Sequence, residues 1–376
     1  MTALLDRPPF GDRDDALFLR EMIALTEHHL EGSAEYRRIV DSIFDFRFSV
    51  FAGRPSQVEG RESQHENPRG APKIENRKST TDLPFVHVSV FKHLLLRTNS
   101  GAVQRVLRSS GTSGAAASRI ALDDESSALQ SRSSTAILAD FIGAELAPLL
   151  VVDHSSSLRQ RGEISARVAA AMSLRPLASS ITFLLSDAGD PASVKWRDVA
   201  EAATNAPHLR VYGFTSALWQ AWRTGVPEDV AALLRKRRID FVHSGGWKRL
   251  EAEQVSREDF DALLLRNSGP GSRVVDYYGL VEQVGVVFPL CEAGYRHVPA
   301  WAGVIVRDPY TLAPLHGETG MLQLMNVLAR GGPYHSVLTE DLGREVEGLC
   351  ACGRKGQRFE LLGRVPKAET RGCANV

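Results

Sequence analysis

From residue 106 to residue 280 the chain alternates short apolar, β-branched runs with segments of helical period. That alternation constrains the fold more than any other feature. VLRSS (106–110) reads as a strand, and a helix follows over SALQSRSSTAILADFIGAELA. LAPLLVVD (146–153) is a strand of the fully buried type, ISARVAAAMSL a helix and ITFLLS (181–186) a strand. LRVYGFTSALWQAWR (209–223) runs from strand into helix, and RIDFVHSGG (238–246) from strand into a glycine turn. EDFDALLLRN is a helix and RVVDYYGL (273–280) a strand. Strands separated by helices pair in parallel, because the crossover helix returns the chain to the starting edge and covers one face of the sheet. The expectation is an α/β fold with a mainly parallel, helix-flanked sheet.

The flanks read differently. Residues 14–50 carry apolar residues at three- and four-residue spacing and predict helices. Residues 53–82 are polar and rich in Gly, Pro and Ser, which predicts a loop. LPFVHVSVFKH (83–93) reads as a strand or a rigid lead-in. Beyond about residue 286 the segments are short and turn-rich, as expected of a small antiparallel subdomain. The predicted division is 1–82 for N-terminal helices and loop, 83–285 for the α/β core, 286–362 for the turn-rich β subdomain and 363–376 for a short tail.

Charge and composition exclude several functions. Lys+Arg and Asp+Glu each number 45, so no net charge draws a polyanion, and no RRM, zinc-finger or helix-turn-helix pattern is present. A nucleic-acid partner is not expected. No apolar run approaches the ~20 residues of a membrane helix. The start, MTALLDRPPFGDRDD, is acidic and broken by Pro-Pro, unlike a signal peptide. Four cysteines in 376 residues make no disulfide framework, so a reducing, cytoplasmic setting is expected.

Four segments carry candidate ligand chemistry. LRSSGTSGAAASRI (107–120) holds Ser109, Ser110, Gly111, Thr112, Ser113 and Gly114. Its glycines permit close backbone approach to an anion, and its hydroxyls and amides suit phosphate oxygens. It lacks the GxxxxGK[ST] pattern, and on residues alone an ordinary Ser/Gly turn is the slightly favoured reading. HSGGWKRL (243–250) places Gly245, Gly246 and Trp247 after a strand; VVDYYGLVEQVG (274–285) carries Tyr278 and Glu282; VLTEDLGR (337–344) carries Asp341. Ligands of open α/β sheets bind beyond the carboxyl ends of the strands, where these segments would converge.

The cysteines divide three and one. Cys291 and His297 lie in CEAGYRH, and Cys350 and Cys352 in CACGR. Three thiolates and one imidazole complete a tetrahedral zinc set, unless these are two unrelated turns. Cys373 stands apart in RGCANV, near Lys367 and Arg371, which favour a thiolate able to attack an activated acyl group. A free thiol on a frayed end is the competing reading.

The order and content of PFVHVSVFK, SSGTSG, GGWK, DYYGLVEQ, TEDLG, CACGR and GRVPKAETRGC resemble the adenylate-forming superfamily. Within it, the chain resembles the acyl-protein synthetase family of bacterial luminescence operons, the LuxE type, from about Pro84 to Cys373. The resemblance implies an adenylate-forming core whose mobile C-terminal lid domain is truncated to a short tail. It implies ATP and Mg²⁺ as cofactors, with residues 109–114 on the β/γ-phosphates and Gly245, Gly246, Trp247 and Tyr278 about the adenine. Glu282 would hold Mg²⁺, Asp341 the ribose hydroxyls, and Arg364 the ribose or phosphate. Phenylacetate–CoA-ligase-like relatives place structural zinc on a comparable C-x5-H and C-x-C set.

The implied activity is conversion of a fatty or aryl carboxylic acid to acyl-AMP. Transfer to Cys373 as a thioester follows, for delivery to a partner acyl reductase. The alternatives are a ligase that hands the acyl group to coenzyme A or a carrier protein, and a degenerate nucleotide-binding subunit. The chain departs from the superfamily in three places. Ala115, Ala116, Ala117 and Ser118 precede Arg119 where a lysine usually closes the phosphate loop, Val281 replaces a threonine before Glu282, and the late lysine of the lid has no counterpart. Lys92 or Lys248 would then face the α-phosphate.

Overall fold

The computed structural model describes residues 2–51, 78–98, 103, 105–109, 117–159 and 163–365, without the side chains of 43–51, 159, 163, 164, 248, 249 and 251. In chain order the elements are α1 (Asp15–Gly32), α2 (Ala34–Phe51), β1 (Val86–His87), α3 (Val90–His93), β2 (Arg105–Arg108), β3 (Arg119–Leu122) and α4 (Asp124–Ile142). There follow β4 (Ala147–Val151), β5 (Glu163–Ser165), α5 (Ala166–Met172), β6 (Ala178–Phe183), α6 (Trp196–Asn205), β7 (His208–Phe214), α7 (Thr215–Arg223) and α8 (Glu228–Leu234). The remainder are β8 (Arg238–Ser244), α9 (Arg257–Leu265), β9 (Arg273–Tyr278), β10 (Phe288–Pro289), β11 (Arg296–His297), β12 (Ala302–Arg307), β13 (Pro314–Leu315), β14 (Thr319–Asn326), β15 (Ser336–Glu345) and β16 (Arg358–Arg364).

Helix boundaries follow local chemistry. Asp14 caps α1 by accepting from the Leu17 amide at 2.9 Å. Phe18, Met22, Leu25 and His29 then fall on one buried face. Asp123 caps α4 through the Ser126 amide at 2.7 Å, with Asp124 and Glu125 in its first turn. Gly143, at φ +83°, ends that helix in a conformation other residues adopt only with strain.

The expected parallel sheet is present, in the order β10-β9-β8-β7-β4-β6, with only the two-residue β10 antiparallel. One face packs on α6 to α9 through Leu150, Val211, Phe241, Trp222 and Phe260. The other joins α4 and the second sheet in a single core. Val242, Val275 and Tyr277 of the parallel sheet join Ile137 and Phe141 of α4, Trp301 just before β12, and Val304 and Leu324 of the antiparallel strands.

The second sheet runs β11-β16-β15-β14-β12-β13, with β1 added in parallel along β15. It is antiparallel, as expected, but its strands are longer than the turn density suggested: β14 has eight residues and β15 ten. The turns lie between the strands and do not shorten them. The lead-in at 83–93 is both a short strand and one helical turn. A third sheet, β3-β2-β5, pairs β2 antiparallel with β3, the two strands that flank the Ser/Gly segment. Among the described residues no helix is long and apolar enough to cross a membrane.

Candidate active site

β9 delivers Tyr278 to the carboxyl end of the parallel sheet, and β15 delivers Asp341 from the antiparallel one. The phenol of Tyr278 donates to Asp341 Oδ2 at 2.7 Å, and Arg364 Nε donates to Asp341 Oδ1 at 2.8 Å. Asp341 and Arg364 are register partners across β15 and β16. The Asp341 amide donates to Thr339 Oγ1 at 3.1 Å, which fixes the strand under the carboxylate. Burial, then the adjacent carboxylate, pushes the Tyr278 phenol well above its ordinary range, so it remains a donor. Asp341 also raises the Arg364 guanidinium, which keeps its charge. The Tyr278 ring stacks on Phe288 at 5.9 Å.

Four residues along the chain from Tyr278, a single 3-10 turn at Val281–Gln283 turns Glu282 inward, where it is 3% exposed. Burial raises its carboxyl pKa, and a hydrogen bond from Ser118 and the charge of Lys92 oppose that rise. Ser118 closes the hairpin loop: its carbonyl accepts from the Ser109 amide at 3.0 Å and its amide donates to Ser109 Oγ at 2.9 Å. The neck of the Ser/Gly loop therefore lies beside the buried glutamate. Lys92, on α3, brings a positive charge to the same place.

Gln283 anchors this turn. Its amide donates to the Tyr334 carbonyl at 3.0 Å, and its oxygen accepts from Asn326 Nδ2 at 2.8 Å. Gln283, Ser118 and Thr339 escaped the sequence reading. Each lay inside or beside a quoted motif, but its role depends on a partner distant in sequence.

Ser244 pairs with Tyr277, so Gly245 and Gly246 follow at the same end of the sheet as Tyr278. Gly245 has φ +79°, and its carbonyl accepts from Thr215 Oγ1 at 2.6 Å. A Cβ at Gly246 would meet open space. The Trp247 ring packs edge-on against Trp219 at 5.5 Å and Phe260 at 6.0 Å. Ser110, Gly111, Thr112, Ser113, Gly114 and Cys373 lie outside the described residues, as does the Lys248 side chain.

A second constellation draws on residues 291–352. The donor atoms of Cys291, His297, Cys350 and Cys352 all fall within 4.8 Å of one another, a set able to hold a metal ion. Cys291 Sγ is 3.8 Å from Cys350 Sγ, and Cys352 Sγ is 3.2 Å from His297 Nε2. Two matching turns build it. The Gly294 amide donates to the Cys291 carbonyl at 2.9 Å, and the Gly353 amide to the Cys350 carbonyl at 3.0 Å. Both glycines have positive φ, +84° and +81°. Burial lifts the Cys291 thiol to about 11 and lowers the His297 imidazole to about 4, the latter with help from Arg354 and Arg358. A neutral imidazole is the form that ligates.

The fold is that of the adenylate-forming ligases. The chain superposes on a 2-hydroxyisobutyryl-CoA ligase in an open conformation with 2-HIB-AMP and CoA, at TM-score 0.59, 16% identity, 94% of this chain and 70% of that one. For the same ligase in the thioesterification state the values are 0.61, 15%, 96% and 70%. A family model described as acyl-protein synthetase, LuxE matches residues 72–376, and the chain belongs to that family. Over 143 residues it is 31% identical to the long-chain-fatty-acid–luciferin-component ligase of Vibrio harveyi, covering 37% of this chain and 36% of that protein. Against the enzyme of the same description from Aliivibrio fischeri it is 29% identical over 140 residues, covering 36% of each. The matched stretch thus spans about a third of the length of these relatives.

Proposed function

We propose that this protein uses ATP to convert a carboxylic acid, of the long-chain fatty class, to its acyl adenylate, and then carries the acyl group on its own Cys373 for delivery to a partner acyl reductase. The observation that supports this most is the closeness of the neck of the Ser/Gly loop to Glu282, one 3-10 turn from the Tyr278–Asp341–Arg364 cluster. That closeness favours reading the three as phosphate-, metal- and ribose-binding parts of one site. Family membership and the two luciferin-component ligases, named for long-chain fatty acids, favour the same substrate class.

In the first step a carboxylate oxygen attacks the α-phosphorus of ATP and pyrophosphate leaves. Residues 109–114 hold the β/γ-phosphates through amides and hydroxyls, and Asp341 accepts from the ribose hydroxyls, held in place by Tyr278 and Arg364. Gly245, Gly246 and Trp247 border the adenine. Glu282 is the ligand for Mg²⁺, which supplies charge neutralisation to the polyphosphate. Lys92 faces the α-phosphate and offsets the charge that gathers there. In the second step the Cys373 thiolate attacks the acyl carbon, AMP leaves and a thioester forms.

The four-donor cluster fits zinc: its donor types and mutual distances are those of a closed tetrahedral site. Cys291, His297, Cys350 and Cys352 would hold it. With four protein ligands no position is open to substrate, so its contribution is to stability.

The deciding experiment is intact-protein mass spectrometry after incubation with ATP, Mg²⁺ and a panel of fatty and aryl acids. A hydroxylamine-labile acyl adduct on Cys373, absent from Cys373→Ser while ATP–pyrophosphate exchange persists, is expected. Acyl label that survives denaturation on Cys373→Ser rules out the carrier role. Thioester on added coenzyme A without self-labelling selects a ligase of the other kind.

A further inference from the structure

The metal cluster has an outer wall that comes from the other end of the chain. Residues 8–13 cross the turn that carries Cys350 and Cys352. The Ala300 amide donates to the Pro9 carbonyl at 2.8 Å, and the Lys355 amide to the Phe10 carbonyl at 3.1 Å. Lys355 Nζ pairs with Asp12 at 2.9 Å, and Arg13 donates to the Ala302 carbonyl at 2.9 Å. Between these anchors Phe10 turns inward and is 6% exposed. Its ring meets His297 edge-on at 5.9 Å and Phe141 at 5.6 Å. Arg354, two residues past Cys352, lies over the Phe141 ring at 3.7 Å.

His297 needs such a wall. Its Nε2 faces Cys352, and its Nδ1 is buried with no hydrogen-bond partner. A ligating histidine usually donates its second N–H to an acceptor, which sets the ring plane. Here packing must set it, and Phe10 is a side chain laid against that ring.

We infer that residues 8–13 form a latch for the metal site: Phe10 positions the ligand His297 and shields the ion, and the bound ion in turn holds the latch down. The latch lies outside the span that matches the family, residues 72–376. This inference rests on the reading of the cluster as a zinc site. Coupling between ion and latch is reciprocal, because both report one free energy.

The test uses the full chain loaded with zinc and mixed with excess chromophoric chelator. Phe10→Ala is expected to release zinc about tenfold faster than the unmodified protein, the scale seen when outer-shell support is lost. Leu234→Ala, buried in α8 in the core on the other face of the parallel sheet, is expected to release it at the unmodified rate. In the unmodified protein, zinc removal is expected to speed hydrogen exchange of amides 10–13 at least as much as those of the 350–356 turn. Equal release from Phe10→Ala and the unmodified protein overturns the latch, as does exchange at 10–13 that ignores zinc. An unmodified protein that takes up no zinc overturns the metal reading and the latch together, which separates the two failures.

Discussion

Asp341 and Arg364 face each other across β15 and β16, and the guanidinium Nε lies 2.8 Å from the carboxylate. Tyr278 reaches the other oxygen of the same carboxylate from a different sheet. Asp341 is therefore held on both sides before any ligand arrives. Asp341→Asn keeps the shape but loses the charge that pairs with Arg364. Hydrogen bonds to a charged group contribute about 1.5–3 kcal/mol, so KM for ATP in the pyrophosphate-exchange assay is expected to rise by at least about tenfold. An unchanged KM would remove Asp341 from nucleotide binding.

Glu282 gives a prediction of opposite sign for stability and activity. Its buried carboxyl has a raised pKa, so between the unfolded and folded values the native state holds more protons than the unfolded chain. Its charge destabilises the protein, fully so above the raised pKa and not at all below the unfolded value. Glu282→Gln is thus expected to raise the melting temperature of the ligand-free protein at pH 8, with the gain shrinking towards pH 4, while adenylate formation falls at least about a hundredfold. Scanning calorimetry at the two pH values, beside a pyrophosphate-release assay, checks both halves. A destabilised variant would contradict the burial argument.

Two buried histidines predict acid lability. The rings of His29 and His335 lie 4.7 Å apart, tilted by 35°, where α1 meets the start of β15, bonded to Thr98 and Thr26. Burial depresses both, His335 to about 3. A histidine with a depressed folded pKa contributes stability above pH 6.5 and loses it as pH falls towards the folded value. Each such group contributes a slope of about 1.4 kcal/mol per pH unit in that window. Urea unfolding from pH 6.5 to 4.5 is expected to show a falling midpoint, and His335→Gln to flatten the curve. An identical pH dependence in the variant would assign the acid transition elsewhere.

The parallel sheet was legible because its strands are buried on both faces and read as continuous apolar runs between helical stretches. The Cys/His set was visible from residue type, but that Cys291, His297, Cys350 and Cys352 come within reach of one ion depends on the two Cys-x-x-Gly turns. Asp341 stood out in the sequence through its motif, but its pairing with Tyr278 did not, because a contact between two sheets leaves no periodic mark. The long strands β14 and β15 were misjudged for a related reason. Gly320 and Gly343 look like turn formers, yet each sits inside a strand because a Cβ there would lie 2.4 Å from the Arg307 carbonyl oxygen or 2.6 Å from that of Glu360.

The turn that carries Glu282 depends on a glycine that is not part of the chemistry. Gly285 has φ +82°, and a Cβ there would lie 2.5 Å from Gln130 Cα on α4. Its carbonyl accepts from Ser133 Oγ at 2.6 Å, and Ser133 in turn accepts from Trp301 Nε1 at 2.7 Å. One backbone unit thus ties the turn that carries Glu282 to α4 and to Trp301, just before β12. Gly285→Ala combines a strained φ with a backbone clash, so α4 must shift, at a cost of about 1–3 kcal/mol. The 3-10 turn is fixed to α4 at this point, so Glu282 is displaced with it. The expected outcome is a lower melting temperature together with a loss of adenylate formation larger than the instability explains at 20 °C. Ser133→Ala removes the hydrogen bond without the clash and is expected to give a milder form of both effects. Full activity in a folded Gly285→Ala protein would show that the position of Glu282 does not depend on this contact.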